Sequence, residues 1–246
     1  MKQHNDTKSD VGEDLSSEKG AAESYRGEQG AKYFAEHFQS RLSFGRKYQA
    51  RYFLPFCGNR TTLLDFGCGD GTILSELPAA IKIGIELNPL CRERIREANR
   101  HLDVPIRICE NIDEVEIDSV EVAISNHCLE HVETPLECLR KIRSRLVSGG
   151  KLVIVTPYDD WRSAVHREWT PHDADHHLHT WSPRNLGNLV QVAGFHVEQT
   201  RICKFTMSPK LYWIHRLLGD GTFRLACRLF SVYKCRREVF CAARKC

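Results

Sequence analysis

Leu63-Leu64-Asp65-Phe66-Gly67-Cys68-Gly69-Asp70-Gly71-Thr72 is the stretch on which the fold of this chain turns. The apolar and β-branched run Thr61–Phe66 predicts a buried strand, and Thr72–Leu77 predicts the start of a helix. Between them, glycines at alternate positions predict a tight loop whose backbone comes close to a ligand, with φ values that side chains disfavour. The helix start offers unpaired N–H groups to a polar or anionic group. A strand, a glycine loop and a helix early in an α/β pattern form a cradle of nucleotide type. The spacing Gly-x-Gly-x-Gly is not the dinucleotide fingerprint Gly-x-Gly-x-x-Gly, which disfavours a nicotinamide oxidoreductase, and no Gly-Lys-Ser/Thr ending marks a phosphate loop. Asp65, two residues before the first glycine, argues against a bound pyrophosphate and for a ligand carrying positive charge.

With Asp65 included, the loop resembles motif I of the class I S-adenosylmethionine (SAM) methyltransferases, Asp-x-Gly-x-Gly-x-Gly. SAM carries an ammonium and a sulfonium and no phosphate, which suits an acidic loop. Downstream segments extend the resemblance over roughly residues 60–157. Ile81–Glu86 reads as a second strand ending in an acid about 20 residues after the glycine loop begins, where a carboxylate takes both hydroxyls of an adenosine ribose. Pro89–His101 reads as a helix, Val104–Cys109 as the third strand and Ser119–Asn126 as the fourth. Leu129-Glu130-His131-Val132, Pro135-Leu136 and Gly149-Gly150 match the punctuation of the family's small-molecule branch, type 11/23-like and similar to ubiquinone-pathway methyltransferases. Val120-Glu121 replaces the family's usual Phe-Asp, and Glu110-Asn111 stands where an Asp is usual. A helix from Pro135 to about Leu146, a break at Val147–Gly150 and a fifth strand Lys151–Thr156 follow. Trp181-Ser182-Pro183, a helix to about Ala193, Gly194-Phe195 and a sixth strand to Ile202 continue the pattern, with Glu238–Ala243 as the last strand.

The resemblance implies an α/β, Rossmann-like, seven-stranded, mostly parallel sheet of order 3-2-1-4-5-7-6 with helices on both faces and an antiparallel last strand. It implies SAM as cofactor, with cofactor-binding residues Asp65, Gly67, Cys68, Gly69 and Gly71 in the loop, Glu86 and Leu87 after the second strand, Asn111 and Ile112 after the third, and Asn126 at the end of the fourth. Asp113 also falls where the family meets the adenine ring.

Composition sets the frame. The chain has 246 residues, 41% hydrophobic and 27% charged, as a soluble globular protein of one large or two small domains would. No apolar run reaches the length of a spanning helix, and the first twenty residues have no secretory leader pattern. The eleven cysteines include no Cys-x-x-Cys and read as small buried hydrophobes, so the expected compartment is the cytoplasm. The expected organisation is a disordered tail 1–22 and a methyltransferase domain 23–246. That domain has a helical cover over 29–56 carrying Tyr33, Phe34, Phe38, Leu42 and Phe44, a substrate loop 158–181, and a basic helical insert 207–234 broken at Gly219-Asp220-Gly221. Net charge is +3, but residues 201–246 carry eleven Lys/Arg against Asp220 and Glu238. That asymmetry permits peripheral contact with a membrane surface or a phosphate-bearing partner.

Methyl transfer from a sulfonium is an in-line displacement, so alignment supplies much of the rate. A hydroxyl nucleophile also needs a base. Histidine suits that role near neutral pH, and the catalytic candidates are His127, His131 and His177. The loop before Trp181 carries His166, His172, His176, His177 and His179 with Trp161 and Trp169. It leaves the sheet at the edge where ligands bind. His127-x-x-Glu130-His131 with one of these histidines also describes a nitrogen-rich divalent-metal site. Ubiquinone-pathway O-methyltransferases and small-RNA 3′-terminal 2′-O-methyltransferases carry Glu-x-x-Glu-His here and use a metal, but no metal ligand is assigned on sequence grounds. The leading expectation is methylation, at oxygen, of a small or lipid-linked acceptor. An RNA-directed methyltransferase or nucleic-acid-binding protein using the basic C-terminal third, and a catalytically silent SAM-binding subunit, stand as alternatives.

Overall fold

A computed structural model describes residues 40–158, 177–203, 207–234 and 236–246. The tail 1–22, Tyr33, Phe34, Phe38, Trp161, Trp169, His166, His172 and His176 lie outside the described residues. The elements that build the site are α1 (Ser40–Gln49), β1 (Thr62–Phe66), α2 (Thr72–Glu76), β2 (Ile81–Ile85), α3 (Pro89–Ala98), β3 (Ile106–Cys109), β4 (Val120–Asn126), α4 (Pro135–Arg145), β5 (Leu146–Pro157), α5 (Pro183–Val192), β6 (Phe195–Cys203), α6 (Tyr212–Tyr233) and β7 (Glu238–Lys245).

The seven strands form one sheet of order β3-β2-β1-β4-β5-β7-β6, parallel except for β7, which runs antiparallel to both β5 and β6. This is the order that the resemblance implies. Strand side chains alternate between faces, and the core divides accordingly. Leu64, Leu152, Ile154 and Cys241 face one layer with Leu139, Ile142, Leu186 and Val190 of α4 and α5. Leu63, Val153, Val155, Phe240 and Ala242 face the other with Phe53, Ile73, Leu74 and Ile95. A third cluster joins α1 to α6, where Tyr48 and Phe44 pack on Phe223 and Cys227.

One boundary differs from the sequence expectation. β5 begins at Leu146, directly after α4, rather than at Lys151. Val120 pairs with Leu146 and Val122 already pairs with Lys151, so Val147–Gly150 is a bulge in the strand, made possible by Gly149 at φ 76°. The basic insert is two helical segments of α6 that meet at a kink, where Gly219 leaves helical geometry at φ 79° and ψ −179°, as the Gly219-Asp220-Gly221 break predicts.

Candidate functional site

β1, β2 and β4 end at one edge of the sheet, and a cavity of about 830 Å³ opens there. Gly67 leaves β1 at φ 76°, and a Cβ on it would sit 2.2 Å from Cys128 Sγ. Only glycine fits this turn. The loop is fixed by Gly67 N–H and Cys68 N–H, both donating to the Ile85 carbonyl at 2.9 and 3.1 Å. Gly71 is the one predicted binding residue that does not line the cavity. It precedes α2 at φ 73°, where a Cβ would come within 3.1 Å of Ile95 and Ile106. Its smallness serves helix packing.

Two buried acids define the inner wall. Glu86 accepts from Gly69 N–H through one oxygen and from Asn88 N–H through the other, each at 2.8 Å. Each oxygen keeps a lone pair for a ligand hydroxyl. Burial pushes its carboxyl up, against the pull of those backbone donors and Arg92. Asp65 is 1% exposed, and its Oδ1 has no hydrogen-bond partner among the described residues. Burial, and then the charge of Glu86, raise its carboxyl to about 8. An unpartnered buried carboxylate oxygen facing a cavity fits a cationic group there.

Leu87, Asn111 and Ile112 line the next wall. Asn111 also caps the short helix Ile112–Glu114 by accepting from Asp113 N–H at 3.0 Å. Asp113 does not reach the cavity. It is held outside by Lys141 at 2.7 Å and Arg145 at 2.6 Å, which keep its carboxyl below the ordinary range.

Beyond the glycine loop stands a polar cluster. His127 adopts φ 48°, uncommon for a residue other than glycine. Its N–H donates to the Val155 carbonyl, and its Nε2 lies 3.1 Å from Glu238 Oε1 and 3.3 Å from Gln49 Nε2. Gln49 and Tyr52 also donate to Glu238, and Asn126 donates to Gln49 at 3.2 Å. Burial opposes a charged imidazole at His127, but the Glu238 hydrogen bond and the charges of Glu238 and Glu130 outweigh it and raise its pKa above the ordinary value. Burial and the Glu238 charge hold the Tyr52 hydroxyl protonated.

Glu130, 1% exposed, has both carboxylate oxygens without a hydrogen-bond partner among the described residues. Glu130, His131 and His177 bring one ligand atom each to within 4.8 Å of one another. The Glu130 carbonyl accepts from Leu178 and His179 N–H, which pins the segment carrying His177. His127 is not part of this group, because its ring is turned to Glu238. The nitrogen-rich set built on His127 is therefore replaced by one carboxylate and two imidazoles.

Asp65, Gly67, Cys68, Gly69, Glu86, Leu87, Asn111, Ile112, Asn126, His127, His131 and His177 all line the cavity. Sequence reasoning missed Gln49, Tyr52 and Glu238, and also Arg46, whose guanidinium reaches Asp70 in the glycine loop at 2.8 Å. Glu238 did carry a signal, as one of two acids among eleven basic residues in the last 46 positions.

Solved structures share this fold. A putative methyltransferase from Haloferax volcanii, solved in complex with the methyltransferase activator Trm112, superposes with TM-score 0.62 at 17% identity, covering 87% of this chain and 97% of that one. Geranyl diphosphate C-methyltransferase from Streptomyces coelicolor, solved with Mg2+, geranyl diphosphate and S-adenosyl-L-homocysteine, gives 0.60 at 18% identity, covering 90% and 85%. An uncharacterised 37.1 kDa protein in transposon Tn4556 of Streptomyces fradiae is 31% identical over 160 residues, which are 54% of this chain and 43% of that protein. This chain thus matches less than half of that relative's length. A family model described as a methyltransferase domain matches residues 34–200, well over half of the chain and every strand from β1 to β5. By that match and by its sheet order, the chain belongs to the methyltransferase-domain family.

Proposed function

We propose that this protein transfers the methyl group of SAM to the oxygen of a small or lipid-linked acceptor. The observation that carries the reading is the pair of buried acids, Asp65 and Glu86, on either side of the glycine loop. When bound, SAM supplies an electrophilic methyl on a sulfonium. Glu86 would accept both ribose hydroxyls, and Asp65 would face positive charge. The turn at Gly67 lets the ligand lie against the loop backbone. Leu87, Ile112 and Asn111 would border the adenine, and Cys68, Gly69 and Asn126 complete the wall.

Across the cavity His127 would take the proton. Glu238 and Gln49 hold Nε2, which leaves Nδ1 as the atom nearer the cavity's second cluster, 3.8 Å from Glu130 Oε1. His131 and His177, with ring centroids 4.9 Å apart, border the same space. A second reading is favoured by the unpartnered Glu130 carboxylate. With His131 and His177 it forms a two-imidazole, one-carboxylate set that suits a divalent transition metal better than magnesium. Bound there, such an ion would act as a Lewis acid toward the acceptor oxygen.

The test uses SAM labelled in its methyl group and extract fractionated into small molecules, lipids, RNA and protein. Label in small molecules or lipids, lost in Glu86→Gln, supports the proposal. Label in RNA or protein, or SAM binding without label anywhere, overturns it. For the metal reading, Glu130→Gln should abolish tight Zn2+ or Mn2+ binding in calorimetry; unchanged binding rejects that site.

A further inference from the structure

α6 carries two rows of side chains that its own packing does not use. Phe223, Cys227 and Ser231 are buried, the first two against α1. One position along, Arg224 and Arg228 are exposed. One further, Leu225 and Leu229 are 58% and 62% exposed, and the row continues into Val232 and Tyr233. Successive residues turn by about 100° around a helix, so an inward row, a basic row and an apolar row run side by side. Before the Gly219 kink, Trp213, Leu217 and Leu218 are exposed as well, with Arg216 among them.

The basic row borders a second cleft. Arg224 and Arg228 line a cavity of about 560 Å³ together with Arg51 and Arg201. Gln49 and Met207 belong to the walls of both cavities, so the second opens beside the first. Nearby acids are engaged: Asp220 pairs with Arg51 at 3.1 Å, and Glu238 accepts from Gln49 and Tyr52. Arg201 lies over the Phe240 ring and donates to Cys203 Sγ. Among the described residues, Arg201, Arg224 and Arg228 have no carboxylate partner. A cleft with this excess of guanidinium suits a phosphate, which arginine meets with paired N–H donors.

We propose that α6 seats this protein on an anionic phospholipid surface, and that the cleft of Arg51, Arg201, Arg224 and Arg228 receives a lipid headgroup phosphate beside the first cavity. The apolar row selects lipid over nucleic acid. A groove for a nucleic-acid backbone uses charge and aromatic stacking and gains nothing from exposed leucines. An amphipathic helix sinks such leucines among acyl chains, while adjacent arginines meet the headgroups. No helix among the described residues is long and apolar enough to cross a membrane, so the seat is a surface one. That the bound lipid is also the methyl acceptor rests on the function proposed above; the docking itself does not.

The experiment is flotation of the full chain with vesicles of phosphatidylcholine alone or mixed with phosphatidylglycerol, with SAM binding measured by calorimetry on the same preparations. Wild type should float far better with the anionic vesicles. Arg224→Ala with Arg228→Ala should lower that affinity about fivefold for each arginine. Leu225→Ser with Leu229→Ser should abolish flotation on both compositions. Arg201→Gln, which leaves α6 untouched, should weaken binding to the anionic vesicles. All these positions are exposed, and unchanged melting curves and SAM affinity verify the fold. Wild type that fails to float, or floats equally on both compositions, overturns the docking, as does vesicle binding displaced by a homopolymeric RNA. An Arg201→Gln variant that floats like wild type overturns the headgroup cleft. Loss of SAM binding with flotation intact leaves this inference standing and counts against methyl transfer instead.

Discussion

Asp65 is the residue that stability and binding pull in opposite directions. Its carboxyl is buried, unpartnered at Oδ1 and raised to about 8 by burial and by Glu86. At neutral pH the unliganded protein therefore holds a proton there, and a cationic ligand favours its release. SAM affinity should rise with pH up to about 8 by as much as tenfold per unit, measured by calorimetry between pH 6 and 8; a flat profile rejects the cationic contact. Asp65→Asn should bind SAM at least about tenfold more weakly while melting higher than wild type without ligand. Glu238 acts at the same scale. Its hydrogen bond and charge raise His127, so Glu238→Gln should lower the His127 pKa in imidazole NMR titrations. The acid limb of the rate profile should move to lower pH with it. An unmoved His127 resonance would show that the two side chains are uncoupled in solution.

At the scale of elements, α3 ties Glu86 to the sheet. Asn88 is fully buried and caps α3 by accepting from Leu90 N–H at 2.9 Å and Cys91 N–H at 3.2 Å, while its own N–H donates to Glu86. Loss of such a cap costs about 0.5–2 kcal/mol. Asn88→Ala should therefore lower the urea midpoint by a comparable free energy and weaken SAM binding together, because the turn that aims Glu86 is the turn that starts the helix. A variant that loses stability with SAM affinity intact would separate the two roles. β7 does the equivalent work on the far side. Its antiparallel pairing with β5 sets Glu238 opposite Pro157, at the strand end from which the chain passes toward the histidine-rich loop. The same pairing seats Phe240 under Tyr52 and Phe56. β7 thus supplies the carboxylate that holds His127, itself a residue of the cavity wall.

For the molecule as a whole, the buried acids predict how stability varies with pH. Asp65, Glu86 and Glu130 all have carboxyls raised in the folded state. Between the unfolded carboxylate value and the folded one, the native protein keeps protons that the unfolded chain has released. Unliganded stability therefore falls as pH rises through that window, which for Asp65 ends near 8, by at most about 1.4 kcal/mol per unit for each group. Saturating SAM should oppose this: a ligand at 100 times its Kd adds about 2.7 kcal/mol, or roughly 5–10 °C in Tm for a domain of this size. Thermal melts at pH 5 and pH 8, with and without SAM, check both statements. A protein more stable at pH 8 than at pH 5 without ligand would contradict the burial of these acids.

The family resemblance implied the sheet order, and the sequence by itself determined the strands, the glycine loop and the acid at the end of β2. Each is a local pattern: an apolar run, a glycine spacing, a strand end at a fixed distance. The same locality explains what it missed or misplaced. Gly71 reads like its neighbours in the loop, yet only packing against Ile95 and Ile106 reveals that it serves the helix. Asp113 sits in the right segment, but Lys141 and Arg145, from a helix one strand later, draw it away from the cavity. His127 carries the spacing of a ligand, but its Nε2 meets Glu238, 111 positions away. Gln49, Tyr52 and Glu238 come from opposite ends of the chain, and only closure of the sheet by β7 places them around one imidazole. Motifs record contacts between near neighbours; the cluster around His127 and the arginine cleft are made of contacts that exist only once the strands have paired.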